Sequence, residues 1–515
     1  MRKIGVLWAT VAALGLAGCG HDSPTAGVAT TNAHGTLVED PPARLVSLDA
    51  SAIVAQLNAS STGQQLLALA GPPACGVDVY YLKYWTVAPT APGSSMPIMD
   101  SGALMVPTGS AAQCSGGRPI VLYAHATTVD ATYNIADVLD PTQVEGLELA
   151  VMYAAQGYIV VAPNFAGYDI STLGYYPFLN AQQNADEMMD ALTAARTALL
   201  STFTPSTTDG GELFVTGYSI GGFVAMATDK AMQAAGETVT ATAPMSGPYA
   251  AEAFGDAIMT GHVNFDAPEF AVLTTTSYQR AYGNVYSATT DVYSPQYAAG
   301  IDSLLPSATP LATLIQEGKL PQSALFSSTP PTTGIAAVDA LLALPSPPNP
   351  VYSAGFGNPF LISNSYRVSY VEDVAADPDG ADLSPPASGV PLAASPQNAL
   401  RQDLKANDMR SWTPRMPMLL CGGGQDPVVF FGVNTGTMEA YWQAQVSTGL
   451  VSVLDVNAAP AAGDPYAGVQ EAFRQAAAQT VAQVGAQAAL EQYHTAVAPF
   501  CMAAARGFFG RFLPP

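Results

Sequence analysis

The segment Glu212-Leu213-Phe214-Val215-Thr216-Gly217-Tyr218-Ser219-Ile220-Gly221-Gly222-Phe223-Val224-Ala225-Met226 joins an apolar run, a Gly-x-Ser-x-Gly pentad and a small-residue stretch of helical character. A strand that turns straight into a helix through such a pentad holds its serine in a strained conformation, hydroxyl outward. Glycine at 217 and 221 relieves crowding between turn, strand and helix. The first helical residues then offer free N–H groups where an oxyanion would form. A glycine-rich βα turn with an incidental serine gives the same short pattern, so the rest of the chain has to decide.

Apolar strands alternate with helical stretches on both sides of the pentad. Arg118–Thr128 (a strand running into a small and polar turn), Gly157–Asn164 and Thr238–Pro248 read as strands, Pro141–Gln156 and Ala181–Leu200 as helices. This alternation indicates βαβ units and an α/β fold with a mainly parallel sheet flanked by helices. Ahead of it, Leu45–Leu57 and Gln64–Ala70 have short helical character, and Val77–Val87 and Gly102–Pro107 are a plausible strand pair. From 249 to 412 the alternation stops, and the chain is rich in Pro, Ser, Thr and Tyr. It resumes at Met416, with a strand, a helix around Thr435–Ser447, a strand Leu450–Val456 and alanine-rich helices. An interruption of that length is too long for a bare loop. Residues 249–412 are therefore expected to form a cap or lid inserted into a core made of 43–248 and 413–515.

Met1-Arg2-Lys3 and the apolar run Ile4–Leu16 fit a signal peptide over 1–18, since the run is too short to span a bilayer as a permanent helix. Its end, Leu16-Ala17-Gly18-Cys19, resembles the bacterial lipobox, which implies cleavage before Cys19 and lipidation of its thiol. An ordinary secretory signal is the alternative. Residues 19–42 are small and polar, as a flexible tether should be. Gly20, where aspartate would signal inner-membrane retention, points to an exported lipoprotein of the outer membrane or periplasm. An exported chain can oxidise its other four cysteines, for which three pairings exist. Cys75–Cys114 is preferred because it would pin the ends of the 77–107 hairpin, and Cys421–Cys501 for its position described below; free thiols are the alternative. No spacing resembles a zinc site. With 40 Asp+Glu against 17 Lys+Arg and a net charge of −23, no basic patch can neutralise phosphates, so nucleic acid is not an expected partner.

A serine hydroxyl is a weak nucleophile until a base takes its proton and a third group orients that base. In the α/β-hydrolase fold the order along the chain is Ser, Asp/Glu, His. Of five histidines, His21 and His34 lie in the tether, and His125 and His262 precede the resumed sheet. His494 alone follows a candidate acid. Asp426 sits in a glycine-rich turn at a strand's carboxyl end, with Asp455 and Asp464 as substitutes. Asp426 could instead cap a helix, and His494 could lie on a helix surface, although Tyr493–Cys501 reads as a loop running into the final helix. Cys421 lies five residues before Asp426 and Cys501 seven after His494, so their disulfide would tie acid loop to base loop. Oxyanion donors are expected from the backbone of Ile220 and of Thr127, with Ala126 next. His125 is expected to pack and orient that turn.

Tyr123-Ala124-His125-Ala126-Thr127-Thr128, the run Gly157–Tyr168, Gly217-Tyr218-Ser219-Ile220-Gly221-Gly222 and the Asp426 and His494 loops together resemble bacterial α/β-hydrolases akin to secretory lipases. The resemblance spans residues 75–250 and 415–512. It implies a serine carboxylesterase or lipase that forms an acyl-enzyme on Ser219 and needs no metal or organic cofactor. His125-Ala126 stands where many relatives carry His-Gly. Apolar composition without a basic cluster favours neutral, hydrophobic esters. Tyr278, Tyr282, Tyr286 and Tyr293 either line a pocket or form the core of the cap. A monomer is expected, touching the membrane only through its N-terminal lipid anchor. The alternatives are a polyester hydrolase, if the cleft is open, or an amidase or peptidase, if an acidic patch in the cap holds a free amine. A third, from a different class, is a non-catalytic envelope binding protein.

Overall fold

The computed structural model describes residues 34–514 except 92–93, 204–205, 382 and 384–388. The signal peptide and Cys19 lie outside the described residues. Nine strands form one sheet: β1 (Ala43–Leu48), β2 (Gly76–Ala91), β3 (Ser94–Thr108), β4 (Gly116–Ala124), β5 (Ile159–Pro163), β6 (Thr207–Tyr218), β7 (Ala241–Met245), β8 (Met418–Gly422) and β9 (Val451–Asp455). Their spatial order is β1-β2-β3-β5-β4-β6-β7-β8-β9. β1, β2, β3 and β5 pair antiparallel in turn, and every ladder from β5 to β9 is parallel. β5, β7 and β8 are buried along their whole length, as parallel strands covered on both faces must be, which is why they read as unbroken apolar runs.

The chain leaves β4 for β5 on one side and then crosses to β6 on the other. The sheet order therefore reverses around β4, and a crevice opens at the carboxyl ends of these strands, where open α/β sheets bind their ligands. The 249–412 segment is inserted between two strands that lie side by side, β7 and β8, with Cys421 opposite Met245. Its longer helices are Ala251–Met259, Ala267–Tyr282, Asn364–Ala376 and Ala399–Ala406, with the shorter helices Leu311–Gln316, Ala336–Leu342 and Pro350–Ala354 and a small two-stranded sheet between them. Two buried guanidinium groups hold that chain in place. Arg401 bridges Asp256 at 2.7 Å and Asp373 at 3.0 Å, and Arg410 bridges Asp379 at 2.7 Å and Asp408 at 2.8 Å. Each arginine fork satisfies two carboxylates on separate stretches of chain, which fixes a register that side-chain packing alone would leave loose.

Two sequence expectations change. The first half of Leu45–Leu57 is not helical: Ala43–Leu48 forms β1, paired with β2, and the helix starts only at Ala50. Asp49 makes the break, its carboxylate accepting the Ala52 N–H at 2.7 Å as a helix cap. The described end of the 19–42 stretch is also not a free tether. Gly35 and Val38 donate to the carbonyls of Trp85 and Lys83, both at 2.8 Å, which lays this chain along the β2 edge. Cys75 and Cys114 form a disulfide across the open end of the β2–β3 hairpin, with Cα atoms 5.5 Å apart.

Candidate active site

Ser219 occupies the one-residue turn between β6 and the helix Ile220–Ala235, at φ 59° and ψ −123°. A side chain at positive φ costs about 1–3 kcal/mol, so the surroundings have to enforce it. They do so through two glycines. A Cβ on Gly217 would collide with the carbonyl oxygens of Gly221 and Ala124, and one on Gly221 with that of Ala124. Helix, strand and the end of β4 approach this closely only because both positions lack side chains. The Ser219 N–H donates to Met245 O at 3.0 Å, which pins the turn to β7.

Asp426 follows β8 in the turn Gly422-Gly423-Gly424-Gln425-Asp426. Its Oδ1 accepts the N–H groups of Val428 at 2.9 Å and Val429 at 3.0 Å, and its Oδ2 lies 2.6 Å from His494 Nδ1. Both residues are buried. Asp426 thus caps its own turn and holds the histidine at once. His494 lies in the first turn of the helix Tyr493–Phe509, so the loop expected there is already helical. The Tyr218 hydroxyl donates to the His494 carbonyl, and the two rings lie 5.0 Å apart between centroids. With Nδ1 engaged, Nε2 has no hydrogen-bond partner among the described residues, and His494 and Ser219 line one cavity. The substitute acids are elsewhere. Asp455 accepts the Gly424 N–H at 2.8 Å and supports the acid loop from behind, and Asp464 accepts the Tyr466 N–H at 2.8 Å.

Cys421 and Cys501 are joined, with Cα atoms 5.6 Å apart, so a covalent link spans from the base of the acid loop to the helix carrying His494. The bond closes a loop of 80 residues. Replacing both cysteines by alanine should therefore cost about 4 kcal/mol of stability. Thermal unfolding checks this, and an unchanged Tm would contradict it.

The turn after β4 is set by Glu145. Its carboxylate takes the Tyr123 hydroxyl at 2.7 Å and the Ala126 N–H at 3.0 Å. Ala126, the second choice for an oxyanion donor, is therefore committed to Glu145. No described residue accepts from the Thr127 N–H, and Thr127 and Ile220 line one cavity with Ser219. His125 is buried behind this turn. Its ring nitrogens face Ala126 O at 2.7 Å and Asn164 O at 3.0 Å, and its ring packs against Tyr133 and Phe165.

Two chambers meet at Ser219. One, about 110 Å³, is apolar and lined by Phe254, Ile258, Met259, Phe270, Ile362 and Tyr366, all from the inserted segment. The tyrosines singled out in the sequence do not line it, and Tyr278 and Tyr293 are buried in the core of that segment. The second chamber, about 390 Å³, contains His494 and four carboxylates: Glu145, Glu148, Asp266 and Glu269. Burial pushes Glu148 up to about 8, assisted by the charge of Glu145. Burial likewise pushes Glu269 up to about 8, with Asp266 adding to the effect. Sequence reading missed these acids, since Glu145 and Glu269, each in the first turn of a helix, look like ordinary dipole compensation.

No protein-family model matches the sequence, and no curated protein matches it. Among solved structures, the rice cell wall degrading esterase LipA of Xanthomonas oryzae superposes with a TM-score of 0.62 at 25% identity, over 87% of this chain and 97% of that one. A protein of Legionella pneumophila described as a hydrolase shares the fold, with a TM-score of 0.60 at 18% identity over 92% of this chain and 98% of that one. With a serine after β6, an acid after β8 and a histidine beyond β9, on a scaffold shared with the Xanthomonas esterase, the chain is an esterase-like protein of the α/β-hydrolase fold.

Proposed function

We propose that the protein is a serine carboxylesterase that acts through an acyl-enzyme on Ser219. The observation that carries this reading is the buried Asp426–His494 pair, whose free Nε2 belongs to the same cavity as the strained serine. Ser219 Oγ attacks the ester carbonyl while His494 Nε2 takes its proton, and Asp426 steadies the imidazolium. The N–H groups of Ile220 and Thr127 receive the oxyanion. His494 then returns the proton to the departing alkoxide, and water, activated by the same nitrogen, releases the acid. The apolar chamber takes the acyl chain, and residues 249–412 act as the cap that supplies its walls. The lipobox-like Leu16–Cys19 would place the enzyme on the cell envelope through a lipid on Cys19, in keeping with two disulfides of the kind found in exported proteins.

The test is covalent capture. A fluorophosphonate should label the folded protein once, at Ser219 by peptide mass, and abolish p-nitrophenyl butyrate hydrolysis in step with labelling. Labelling at another serine, or none together with no hydrolysis, would defeat the reading.

A further inference from the structure

The reacting serine lies between two chambers of opposite character, and the histidine says which part of the substrate enters each. His494 must protonate the leaving oxygen, so the leaving group has to lie on the His494 side. That side is the acidic chamber. The acyl group is left with the apolar chamber, which His494 does not line. Neither Lys nor Arg lines the acidic chamber. Elsewhere in the inserted segment Arg401 and Arg410 supply the counter-charge for buried acids. Here none does. Glu269 is only 5% exposed, and its Oε2 meets no hydrogen-bond donor among the described residues. Burial leaves such an acid holding its proton in the empty protein, and a cation arriving beside it favours the ionised form. Among the described residues no three acidic, histidine or cysteine side chains converge to hold a metal ion. The chamber also includes the rings of Phe270 and Tyr218, which suit an alkylammonium group.

Resting on the esterase reading, we propose that the leaving-group chamber recognises a cationic alcohol, and that the preferred substrates are esters of an apolar acid with an ammonium-bearing alcohol. Glu269 is the principal counter-charge, with Glu148 and Asp266 beside it. This departs from the neutral ester expected from composition. It also differs from a peptidase with an acidic patch for a free amine: the α-amine of a peptide's first residue would lie on the acyl side, away from these carboxylates. In the reaction the Ser219 Oγ–acyl bond forms, the acyl–oxygen bond to the amino alcohol breaks, and that oxygen leaves with the proton from His494.

The experiment compares kcat/KM for butyrylcholine with that for 3,3-dimethylbutyl butyrate, its uncharged isostere. The wild type should prefer the choline ester by at least about tenfold, the scale of a desolvated cation–carboxylate or cation–π contact. Glu269→Gln, checked for folding by its Tm, should bring the ratio close to one, whatever it does to the absolute rates. A wild-type ratio near one, or a ratio unchanged in Glu269→Gln, overturns the proposal even if p-nitrophenyl butyrate is cleaved well. If no ester at all is cleaved, the esterase reading fails instead. Choline then decides alone: a rise in the Tm of the wild type, absent in Glu269→Gln, supports the cation site, and no rise overturns it.

Discussion

Replacing Ser219 by alanine is expected to lower kcat for p-nitrophenyl butyrate by about 10⁶-fold, near 8 kcal/mol of transition-state stabilisation. The size follows from what the change removes and what it leaves. It removes the group that bonds to the acyl carbon, and with it the reason for His494 to carry a proton. The donors at Ile220 and Thr127 remain, so a slow direct attack by water should persist above the uncatalysed rate. Stability should hardly move. The Ser219 hydroxyl makes no hydrogen bond to another described residue, and alanine at φ 59° bears the same backbone strain as serine. A variant that unfolds at the wild-type temperature and hydrolyses the ester at the background rate is the expected result. Activity within tenfold of wild type would place the nucleophile elsewhere.

What could be read in the sequence and what could not divide along a physical line. The strand-to-helix turn was legible because its geometry demands glycines at fixed offsets, and Gly217 and Gly221 are where backbone atoms meet. His494 was legible because the chain has so few histidines that order along it left one. Asp426 was legible as an acid in a glycine-rich turn after an apolar strand. The acids of the second chamber were not, because nothing local marks them. Glu145 meets the Ala126 N–H across the site, and Glu269 reaches the cavity from the inserted segment, whose packing has no periodic signature. The same holds for the acyl chamber. For Tyr278, Tyr282, Tyr286 and Tyr293 the sequence leaves pocket and core both open, and the wall is built instead by Phe254, Phe270 and Tyr366. Leu45–Leu48 reads as helix in the sequence because so short a strand end is easily absorbed into the helical pattern that follows it.

These two chambers give the insertion a double role. Its apolar helices wall the acyl side, while Asp266 and Glu269, at the start of the helix Ala267–Tyr282, carry charge to the other. Phe270, one turn further along, lines both chambers. A single helix start therefore separates the acyl-binding surface from the leaving-group surface, and changes there should alter substrate choice at both ends.

Asp426→Asn tests the remaining assignment, and its effect should be about 10⁴-fold on kcat. The reason lies in the donors around the carboxylate. Oδ1 accepts two backbone N–H groups, from Val428 and Val429, while Oδ2 faces His494 Nδ1. An asparagine has one acceptor oxygen and one NH₂ group. Its oxygen must stay with the two backbone donors, because an NH₂ there would point hydrogens at hydrogens. The NH₂ group is then left facing His494, where it can only donate. Nδ1 is forced to accept, the ring proton moves to Nε2, and that nitrogen can no longer take the proton of Ser219. The fold should survive, since the turn keeps its cap and the Cys421–Cys501 bond is untouched. Asp455→Ala separates orientation from support: its carboxylate holds the Gly424 and Asn457 N–H groups behind the acid loop, so the change should lower Tm more than kcat. Ester hydrolysis by both variants, with Tm measured alongside, decides the matter. An Asp426→Asn enzyme within tenfold of wild type would mean that the tautomer of His494 is set by something other than this aspartate.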